Sequence, residues 1–326
     1  MNILVTGGLG YIGSHTVVEL INNNHNPFIV DDLSKTTKEV CGRIQQITGR
    51  DVPLFEFDLS RHSDELREYI INNDIEGVIH FAAYKCVGES TRRPIEYLQN
   101  NINSLTNILL AVKGSKCKKF IFSSSCTVYG EPEEIPVSEE CSIKYHTSPY
   151  GLTKQIGEDI LREISPTTEM DIVMLRYFNP IGNHHSGLIY DNQKEKENLI
   201  PYILDVINGD KEYLTVFGDD YDTHDGTAVR DYIDVNDLAK VHVKALNHDR
   251  KIDVFNVGSG FGYSVLDIIK EFKEIGINIP YEIVERRAGD VSKIYACTKK
   301  TTEVLGFSCD TPLSNTLQSI LNIEPL

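Results

Sequence analysis

The sequence is poor in positive charge. Its 326 residues include 32 lysines and arginines against 48 aspartates and glutamates, so the formal net charge at pH 7 is −16. The long-range field of an acidic protein repels nucleic acids and anionic membrane surfaces. We therefore expect no nucleic acid and no membrane as partner. An anionic small molecule would need a local group of positive side chains in its binding site.

Long apolar runs and paired cysteine motifs are also missing. No apolar run approaches the roughly 20 residues that a membrane-spanning helix needs. The first residues lead directly into a strand pattern, so we expect no signal peptide. The seven cysteines are odd in number and no two have C-x-x-C spacing, which argues against a disulfide framework and against a zinc site. Reduced thiols fit a cytoplasmic location best.

A glycine-rich turn stands near the start of the chain. The apolar run Ile3–Val5 precedes it, and a helical pattern over residues 11–22 follows it. Its glycines are Gly7, Gly8, Gly10 and Gly13. Glycines in these spacings permit a tight turn, close approach of the backbone to a pyrophosphate, and close packing of helix on strand. Free N–H groups at the start of the helix favour phosphate, so the turn predicts a dinucleotide site.

An acidic residue after the second predicted strand indicates which dinucleotide binds. Asp31 follows the strand pattern Phe28–Val30 and lies 18 residues beyond Gly13. A carboxylate there accepts hydrogen bonds from both ribose hydroxyls of an adenosine and repels a 2′-phosphate. The first arginine after it is Arg43, which does not follow closely. We therefore predict NAD and not NADP.

Strand and helix patterns alternate through the first half of the chain. Strand patterns lie near residues 54–57, 77–81, 119–122 and 174–176, with helical patterns near 61–72 and 94–113. This order is typical of a Rossmann-type, doubly wound α/β fold with a parallel sheet. Ligands of such sheets bind at the carboxyl ends of the strands. Candidate cofactor residues at these ends are Asp58, Phe81, Ala82, Ala83 and Ser123–Ser125.

The regular alternation breaks near residue 178. We predict an NAD-binding domain over residues 1–178 and a smaller C-terminal substrate domain over residues 179–326, with residues near 228–258 rejoining the first. His184 and His185 lack a third ligand at helical spacing, so we expect no metal there and interpret Asn183–Gly187 as a surface loop.

Tyr150 and Lys154 are the candidate reacting pair. Their spacing places both side chains on one face of a helix, for which Ser148 is a suitable N-cap and Pro149 a suitable first residue. Lowering a tyrosine pKa from about 10 to near 7 needs about 4 kcal/mol. One cation about 5 Å away supplies roughly 3 kcal/mol at an effective dielectric constant of about 20. Lys154 could supply much of this, and a second cation the rest.

The motifs resemble those of the extended short-chain dehydrogenase/reductase family, and within it the enzymes that epimerise UDP-sugars at C4. The resemblance extends in order from residue 2 to about residue 307. The segments that carry it are Thr6–His15, His80–Ser90, Phe122–Gly130, Ser148–Lys154, Leu175–Pro180, Phe217–Gly218, Asp225–Tyr232 and Arg286–Asp290. It implies an NAD-dependent isomerase that interconverts UDP-galactose and UDP-glucose, and a homodimer formed through helices of the first domain.

The resemblance also implies roles for single residues. Tyr150 takes the proton from the sugar 4-hydroxyl, Lys154 holds the nicotinamide ribose and lowers the phenol pKa, and Ser125 hydrogen-bonds the same sugar oxygen. Hydride leaves C4 for tightly bound NAD, and the 4-keto sugar then rotates about its diphosphate. The hydride returns to the opposite face of the sugar.

The implied binding residues form two sets. Those for the cofactor are Gly7, Gly10, Tyr11, Ile12, Gly13, Asp31, Asp32, Asp58, Leu59, Phe81, Ala82, Ala83, Lys85, Asn100, Ser123, Tyr150, Lys154, Tyr177 and Phe178. Those for the UDP-sugar are Lys85, Ser125, Tyr150, Asn179, Asn198, Leu199, Thr215, Phe217, Arg230, Arg287, Asp290 and Ile294. Arg230 and Arg287 supply the local positive charge that the acidic chain otherwise lacks.

Departures from the family pattern leave alternatives. Ile294 stands at a position where tyrosine accompanies glucose and galactose only and a small residue also admits N-acetylated sugars, so a UDP-N-acetylglucosamine 4-epimerase or a dual-specificity enzyme stays open. Related 4,6-dehydratases and decarboxylases need a carboxylate where Cys126 and Thr127 stand, which argues against both. Cys126 replaces a common alanine, and we interpret it as a packing residue. A non-catalytic NAD sensor would need the glycine turn but not Tyr150 and Lys154, so the presence of this pair argues against a sensor.

Overall fold

The computed structural model describes residues 1–191, 198–287 and 290–322. Its strands are β1 (Asn2–Thr6), β2 (Asn26–Asp31), β3 (Leu54–Glu56), β4 (Gly77–His80), β5 (Lys119–Ser125), β6 (Asp171–Tyr177), β7 (Asn179–Ile181), β8 (Leu214–Phe217), β9 (Val229–Arg230), β10 (Tyr232–Asp234), β11 (Ile252–Val257), β12 (Tyr263–Ser264), β13 (Tyr281–Val284) and β14 (Lys293–Ile294).

Eleven α-helices lie in the described residues. They are α1 (Tyr11–Asn22), α2 (Glu39–Thr48), α3 (Asp64–Asn72), α4 (Val87–Arg92), α5 (Pro94–Val112), α6 (Pro149–Ile164), α7 (Leu199–Ile207), α8 (Val235–Ala245), α9 (Val265–Glu274), α10 (Lys299–Leu305) and α11 (Leu313–Leu321). Two 3₁₀ turns cover Cys126–Tyr129 and Ser165–Thr167. Within the same residues, no helix combines the length and the apolarity needed to cross a membrane.

Seven parallel strands form the main sheet. Their order is β11-β6-β5-β4-β1-β2-β3. The order reverses between β1 and β4, and ligands of such sheets bind in the crevice outside this point of reversal. The predicted Rossmann-type, doubly wound sheet is confirmed.

Alternate residues of the central strand β1 face two separate apolar layers. Ile3 and Val5 belong to a layer that includes Val17 of α1 and Leu238 of α8. Leu4 belongs to the opposite layer, together with residues of α3, α5 and α6. Burying one such side chain stabilises the fold by about 2 kcal/mol. A strand that is apolar on both faces is therefore fixed at the centre of the sheet, with the glycine turn at its carboxyl end.

The later part of the chain contributes both to the main sheet and to a separate apolar cluster. β11 pairs with β6 at the edge of the main sheet. The separate cluster includes buried side chains of α7, α9 and α11 and of strands β8 and β10. The short sheets β8–β13, β7–β10 and β12-β9-β14 lie in this part. The division into residues 1–178 and 179–326 stays a prediction.

The interpretation of Asn183–Gly187 as a surface loop is wrong. Asn183 and His184 are buried, and only His185 of the histidine pair is exposed. The Asn183 amide donates to the carbonyl oxygens of Ser319 (3.2 Å) and Ile320 (3.3 Å). These partners lie more than 130 residues away, and they satisfy polar groups that an isolated loop would leave to water.

Candidate active site

The glycine turn leaves no space for side chains at two positions. A Cβ atom on Gly13 would lie 2.2 Å from the carbonyl oxygen of Gly7, and one on Gly7 would lie 2.9 Å from the backbone nitrogen of Ala82. Gly7 also has a φ of +67°, which L side chains rarely adopt. The start of α1 therefore lies close to the end of β1, and its N–H groups stay accessible to a phosphate.

Asp31 lies beside this turn at the end of β2. Its carboxylate accepts hydrogen bonds from the backbone N–H groups of Leu9 (3.1 Å) and Leu33 (3.0 Å). Burial raises the pKa of Asp31, although these two bonds act in the opposite direction. The carboxylate is thus fixed on the wall of the crevice, where it can accept further hydrogen bonds from a ribose.

One cavity of about 520 Å³ joins the glycine turn to the catalytic candidates. All of the predicted cofactor residues line it except Ser124, Ser125 and Phe178. The cavity extends from the glycine turn to Tyr150 and Lys154, and small residues such as Gly7, Gly10 and Ala82 leave room in it for a dinucleotide. The residues present therefore fit NAD. Phe178 instead belongs to the apolar cluster that contains Ile294.

Sequence reasoning missed one wall of this cavity. Residues Leu188–Asp191 line it from a segment that follows β7, and Thr36 and Arg43 line it from the region of α2. Arg43 donates a hydrogen bond to the Leu188 carbonyl oxygen (3.3 Å), and its guanidinium lies 5.1 Å from the centre of the Tyr190 ring. No sequence pattern marks these residues, because they do not end a strand of the sheet.

The catalytic candidates lie at the start of α6. Ser148 caps the helix, since its hydroxyl accepts a hydrogen bond from the Gly151 N–H (3.1 Å), as predicted. Tyr150 and Lys154 are both buried, and the Lys154 ammonium nitrogen lies 5.7 Å from the centre of the Tyr150 ring. Lys154 donates a hydrogen bond to the Ser123 carbonyl oxygen (2.6 Å). The Ser125 side chain hydrogen-bonds Tyr150.

Burial works against ionisation of the pair. It raises the pKa of Tyr150 above its usual value, and the hydrogen bond from Ser125 offsets only part of the rise. Burial lowers the pKa of Lys154 to about 7, while the charge of Glu158 acts in the opposite direction. The expected lowering of the Tyr150 pKa by Lys154 is therefore not produced by the chain alone.

Cys126 is not an activated thiol. It packs against the apolar cluster that contains Val128 and Phe178. Burial raises its pKa to about 12, so the thiol stays protonated at neutral pH. The interpretation of Cys126 as a packing residue agrees with this environment.

Several predicted UDP-sugar residues come together on the short sheets. Ile294 of β14 pairs with Arg230 of β9. The Arg287 guanidinium lies 4.8 Å from the centre of the Phe217 ring, and its Nε lies 3.0 Å from an Asp290 carboxylate oxygen. The charges of Arg230, Arg287 and Asp290 all act on the pKa of the buried Tyr221, which burial raises most. The two arginines therefore share one neighbourhood.

The other predicted sugar-nucleotide residues lie on separate elements. Asn198 precedes α7 and Leu199 begins it, Thr215 is exposed on β8, and Asn179 begins β7. None of these four lines the cofactor cavity. Lys85 does line it, and its ammonium nitrogen lies 5.6 Å from the centre of the Tyr11 ring.

Known proteins similar to the chain share both its sequence and its fold. Residues 3–258 match the NAD dependent epimerase/dehydratase family. A UDP-glucose 4-epimerase of Pasteurella multocida is 46% identical over 302 residues, which cover 91% of this chain and 89% of that protein.

Two solved structures are similar over nearly their full length. A UDP-glucose 4-epimerase of Stenotrophomonas maltophila with bound NAD and formylated UDP-arabinopyranose has a TM-score of 0.95 and 40% identity, covering 98% of this chain and 96% of that chain. The enzyme of Bifidobacterium longum in complex with NAD⁺ and UDP has a TM-score of 0.93 and 43% identity, covering 99% and 97%.

Proposed function

This chain belongs to the NAD dependent epimerase/dehydratase family, and we propose that it interconverts UDP-galactose and UDP-glucose by inverting C4 of the sugar. The observation that carries the proposal is the position of Tyr150 and Lys154 in the wall of the cofactor crevice, with Ser125 beside Tyr150. The residues that follow Ser125 are Cys126 and Thr127, neither of which offers the carboxylate that a dehydratase or decarboxylase needs.

NAD is the cofactor, held by the glycine turn and by Asp31. When bound, NAD would supply the hydride-transfer chemistry at C4 of the sugar and, in its oxidised form, a further positive charge for the catalytic pair. The Asp31 carboxylate would accept hydrogen bonds from the ribose hydroxyls of the adenosine, and the N–H groups at the start of α1 would bind the pyrophosphate.

The side chains of the chain itself move and hold the proton. Tyr150 takes the proton of the sugar 4-hydroxyl and later returns it. Ser125, which hydrogen-bonds Tyr150, holds the same sugar oxygen. Lys154 is anchored on the Ser123 carbonyl oxygen and favours the phenolate through its charge. Because burial disfavours both charged forms, proton transfer proceeds best when a further positive charge is present.

The UDP moiety binds to the second part of the chain. Arg230 and Arg287 contact the diphosphate, and their neighbouring positions support this role. The remaining contacts come from Asn179, Asn198, Leu199, Thr215, Phe217 and Asp290. We assign residues 1–178, with those near 228–258, to the NAD-binding domain and residues 179–326 to the substrate domain. The pairing of β11 with β6 supports this division.

The protein works as a cytoplasmic homodimer in this proposal. None of the seven cysteines, all within the described residues, forms a disulfide, which agrees with a reducing compartment. Helix α5 exposes Ile95 and Leu110, so the first domain offers apolar side chains for contact with a second copy. Sedimentation of the purified protein tests the dimer.

The decisive experiment supplies UDP-galactose to the purified protein without added NAD. We expect UDP-glucose as the product, and we expect the protein to release NAD when it is denatured. A parallel reaction with UDP-N-acetylgalactosamine tests the second candidate activity, the epimerisation of N-acetylated sugars. A protein that holds no NAD, or that forms a 6-deoxy-4-keto sugar, would contradict the proposal.

A further inference from the structure

Glu158 lies one helical turn beyond Lys154 on α6, and its side chain has 0% exposure to solvent. The four-residue spacing places it on the same face of the helix as Lys154. The proposed proton transfer does not use Glu158. A buried carboxylate is costly unless it is paired, so its presence here needs an explanation.

Each carboxylate oxygen of Glu158 accepts two hydrogen bonds. One oxygen accepts from the Ser124 hydroxyl (2.5 Å) and from Nε of Arg176 (2.8 Å). The other accepts from Nη2 of Arg176 (2.6 Å) and from Nη2 of Arg162 (2.6 Å). Burial raises the pKa of Glu158, but the hydrogen bonds and charges of the arginines outweigh it, so this pKa lies below its ordinary value. The carboxylate is therefore ionised.

Arg176 is itself fixed from the other side. It is buried on β6, and its Nη1 donates to the Tyr129 hydroxyl (3.0 Å). That hydroxyl donates to the Asn256 side-chain oxygen on β11 (2.6 Å). The network thus joins α6, β5, β6 and β11 to the 3₁₀ turn that directly follows Ser125.

The end of β5 connects this network to the reacting groups. The carbonyl oxygen of Ser123 accepts the hydrogen bond of Lys154 (2.6 Å). The next residue, Ser124, donates to the buried carboxylate, and the residue after it, Ser125, hydrogen-bonds Tyr150. Three consecutive residues therefore hold the ammonium, the carboxylate and the phenol.

We propose that Glu158 is a positioning residue for the catalytic pair: it fixes the end of β5 that holds Lys154 and Tyr150, and its charge favours the ammonium form of Lys154. The inference rests on the proposed function, in which Lys154 acts as a cation.

Among the groups that surround Lys154, Glu158 supplies the negative charge. Tyr150 lies on the same helix, His80 faces it from β4, and Tyr177 of β6 contacts the neighbouring Ser123. Burial, and then the charge of Lys154, lower the pKa of His80 to about 3, and burial raises the pKa of both tyrosines, so these three are neutral at pH 7. Of these groups in the described part of the chain, Glu158 alone is negative.

The test compares Glu158→Gln with the matched control Asp159→Asn. Asp159 is the next residue on α6, is 73% exposed and also pairs with Arg162, so its variant removes one negative charge from the same helix without touching β5. We expect Glu158→Gln to lower kcat for UDP-galactose about tenfold or more with little change in KM. The alkaline limb of its kcat–pH profile should move to lower pH by about one unit, because loss of the negative charge lowers the pKa of Lys154. Asp159→Asn should change neither kcat nor the position of the alkaline limb.

Two further variants keep the test decisive if Glu158→Gln folds poorly. The double variant Glu158→Gln/Arg176→Met removes one buried negative and one buried positive charge, so the alkaline limb should move in the same direction but by less than in Glu158→Gln, while kcat still falls because the end of β5 is no longer held. Glu158→Asp keeps the charge but shortens the reach to Ser124, so kcat should fall while the limb stays in place. An unshifted limb in every variant lacking the charge, or wild-type kcat in Glu158→Asp, would overturn the inference.

The wild-type protein in the same assay separates the two proposals. A wild type that forms no UDP-glucose contradicts the proposed function itself. An active wild type with unshifted variants contradicts only the role of Glu158. NAD released on denaturation should equal that of the wild type in every variant, since none of the exchanged residues lines the cofactor cavity.

Discussion

Tyr150 and Lys154 are buried together at the end of the cofactor crevice, and burial favours the neutral form of each. A phenol in this environment loses its proton, and so can accept one from the substrate as the phenolate, only when nearby positive charge stabilises the ionised form. The hydroxyl of Tyr150 is therefore the atom on which the proposed proton transfer depends.

Replacing Tyr150 with Phe removes this hydroxyl and leaves the ring in place. We expect kcat to fall by about 10²–10⁴-fold, the usual contribution of a general base, while NAD stays bound. The measurement is UDP-glucose formed from UDP-galactose, together with NAD released on denaturation. Tyr145→Phe is the control, because Tyr145 is 84% exposed, and it should keep wild-type turnover. Turnover within threefold of wild type in Tyr150→Phe would exclude the base role.

Ile294 offers a test of sugar specificity. It is 5% exposed and packs with Phe178, Val128 and Ala296, of which Val128 belongs to the 3₁₀ turn that follows Ser125. Ile294→Ala should raise kcat/KM for UDP-N-acetylgalactosamine about tenfold or more, since a few methylene groups in a pocket are worth that much discrimination. Val137→Ala removes apolar volume from the same cluster and should leave the ratio of the two substrates unchanged. If the ratio of kcat/KM for the two substrates were the same in both variants, Ile294 would have no role in sugar specificity.

At the scale of elements, the turn between β1 and α1 is the most constrained. A Cβ atom on Gly13 would lie 2.2 Å from the Gly7 carbonyl oxygen, so Gly13→Ala must push α1 away from β1. We expect the variant to retain less than about a tenth of the wild-type NAD and to melt at lower temperature. Gly42→Ala is the matched control, because a Cβ on Gly42 of α2 meets nothing within 4 Å. It should keep its NAD, with a free energy of unfolding equal to that of the wild type or higher by about 0.5–1 kcal/mol.

Elements with strong local signals could be predicted from the sequence. Helix α1 begins and ends where its periodicity indicates, and Ser148 and Pro149 mark the start of α6. Helix α2 was not predictable in the same way, because it buries only Arg43 and Ile44 and has no side-chain cap. Helix α4 is only six residues long, too short for a periodic pattern.

Site residues at strand ends could be predicted for a related physical reason. Asp31 ends a strand of the parallel sheet and Asp58 and Ala82 closely follow two others, and the topology brings such ends to one edge. The wall formed by Leu188–Asp191 follows no strand of that sheet. The burial of Asn183 depends on partners near residue 320, which no local pattern reveals.

At the scale of the whole molecule, four buried histidines set the acid limit of stability. Burial lowers the pKa of His15 and His80 to about 3 and that of His184 and His242 to about 4. In the unfolded chain each titrates near 6.5, so the unfolded state binds more protons below that pH. The contribution of these histidines to stability is therefore fully present above about pH 6.5 and falls as the pH drops toward 3.

Thermal unfolding between pH 7.5 and pH 5 tests this linkage. Each histidine is expected to lose about 2 kcal/mol of stabilisation at pH 5, and Tm should be lower by about 5 °C or more. His242→Gln, which removes one of the titrating groups, should show a smaller drop in Tm over the same interval. A Tm that is the same at both pH values would contradict the assignment of these histidines as buried and neutral.

The pairing of β11 with β6 has a consequence for the synthesis of the chain. A ribosome that has made 178 residues has already synthesised six strands of the main sheet, but the strand that covers the edge of β6 ends at Val257. Until then the edge of β6 presents unpaired backbone groups and apolar side chains, the kind of surface from which nascent chains aggregate. The nascent protein therefore reaches a protected state only when about four-fifths of it has been translated, and a product truncated before β11 should need a chaperone to stay in solution.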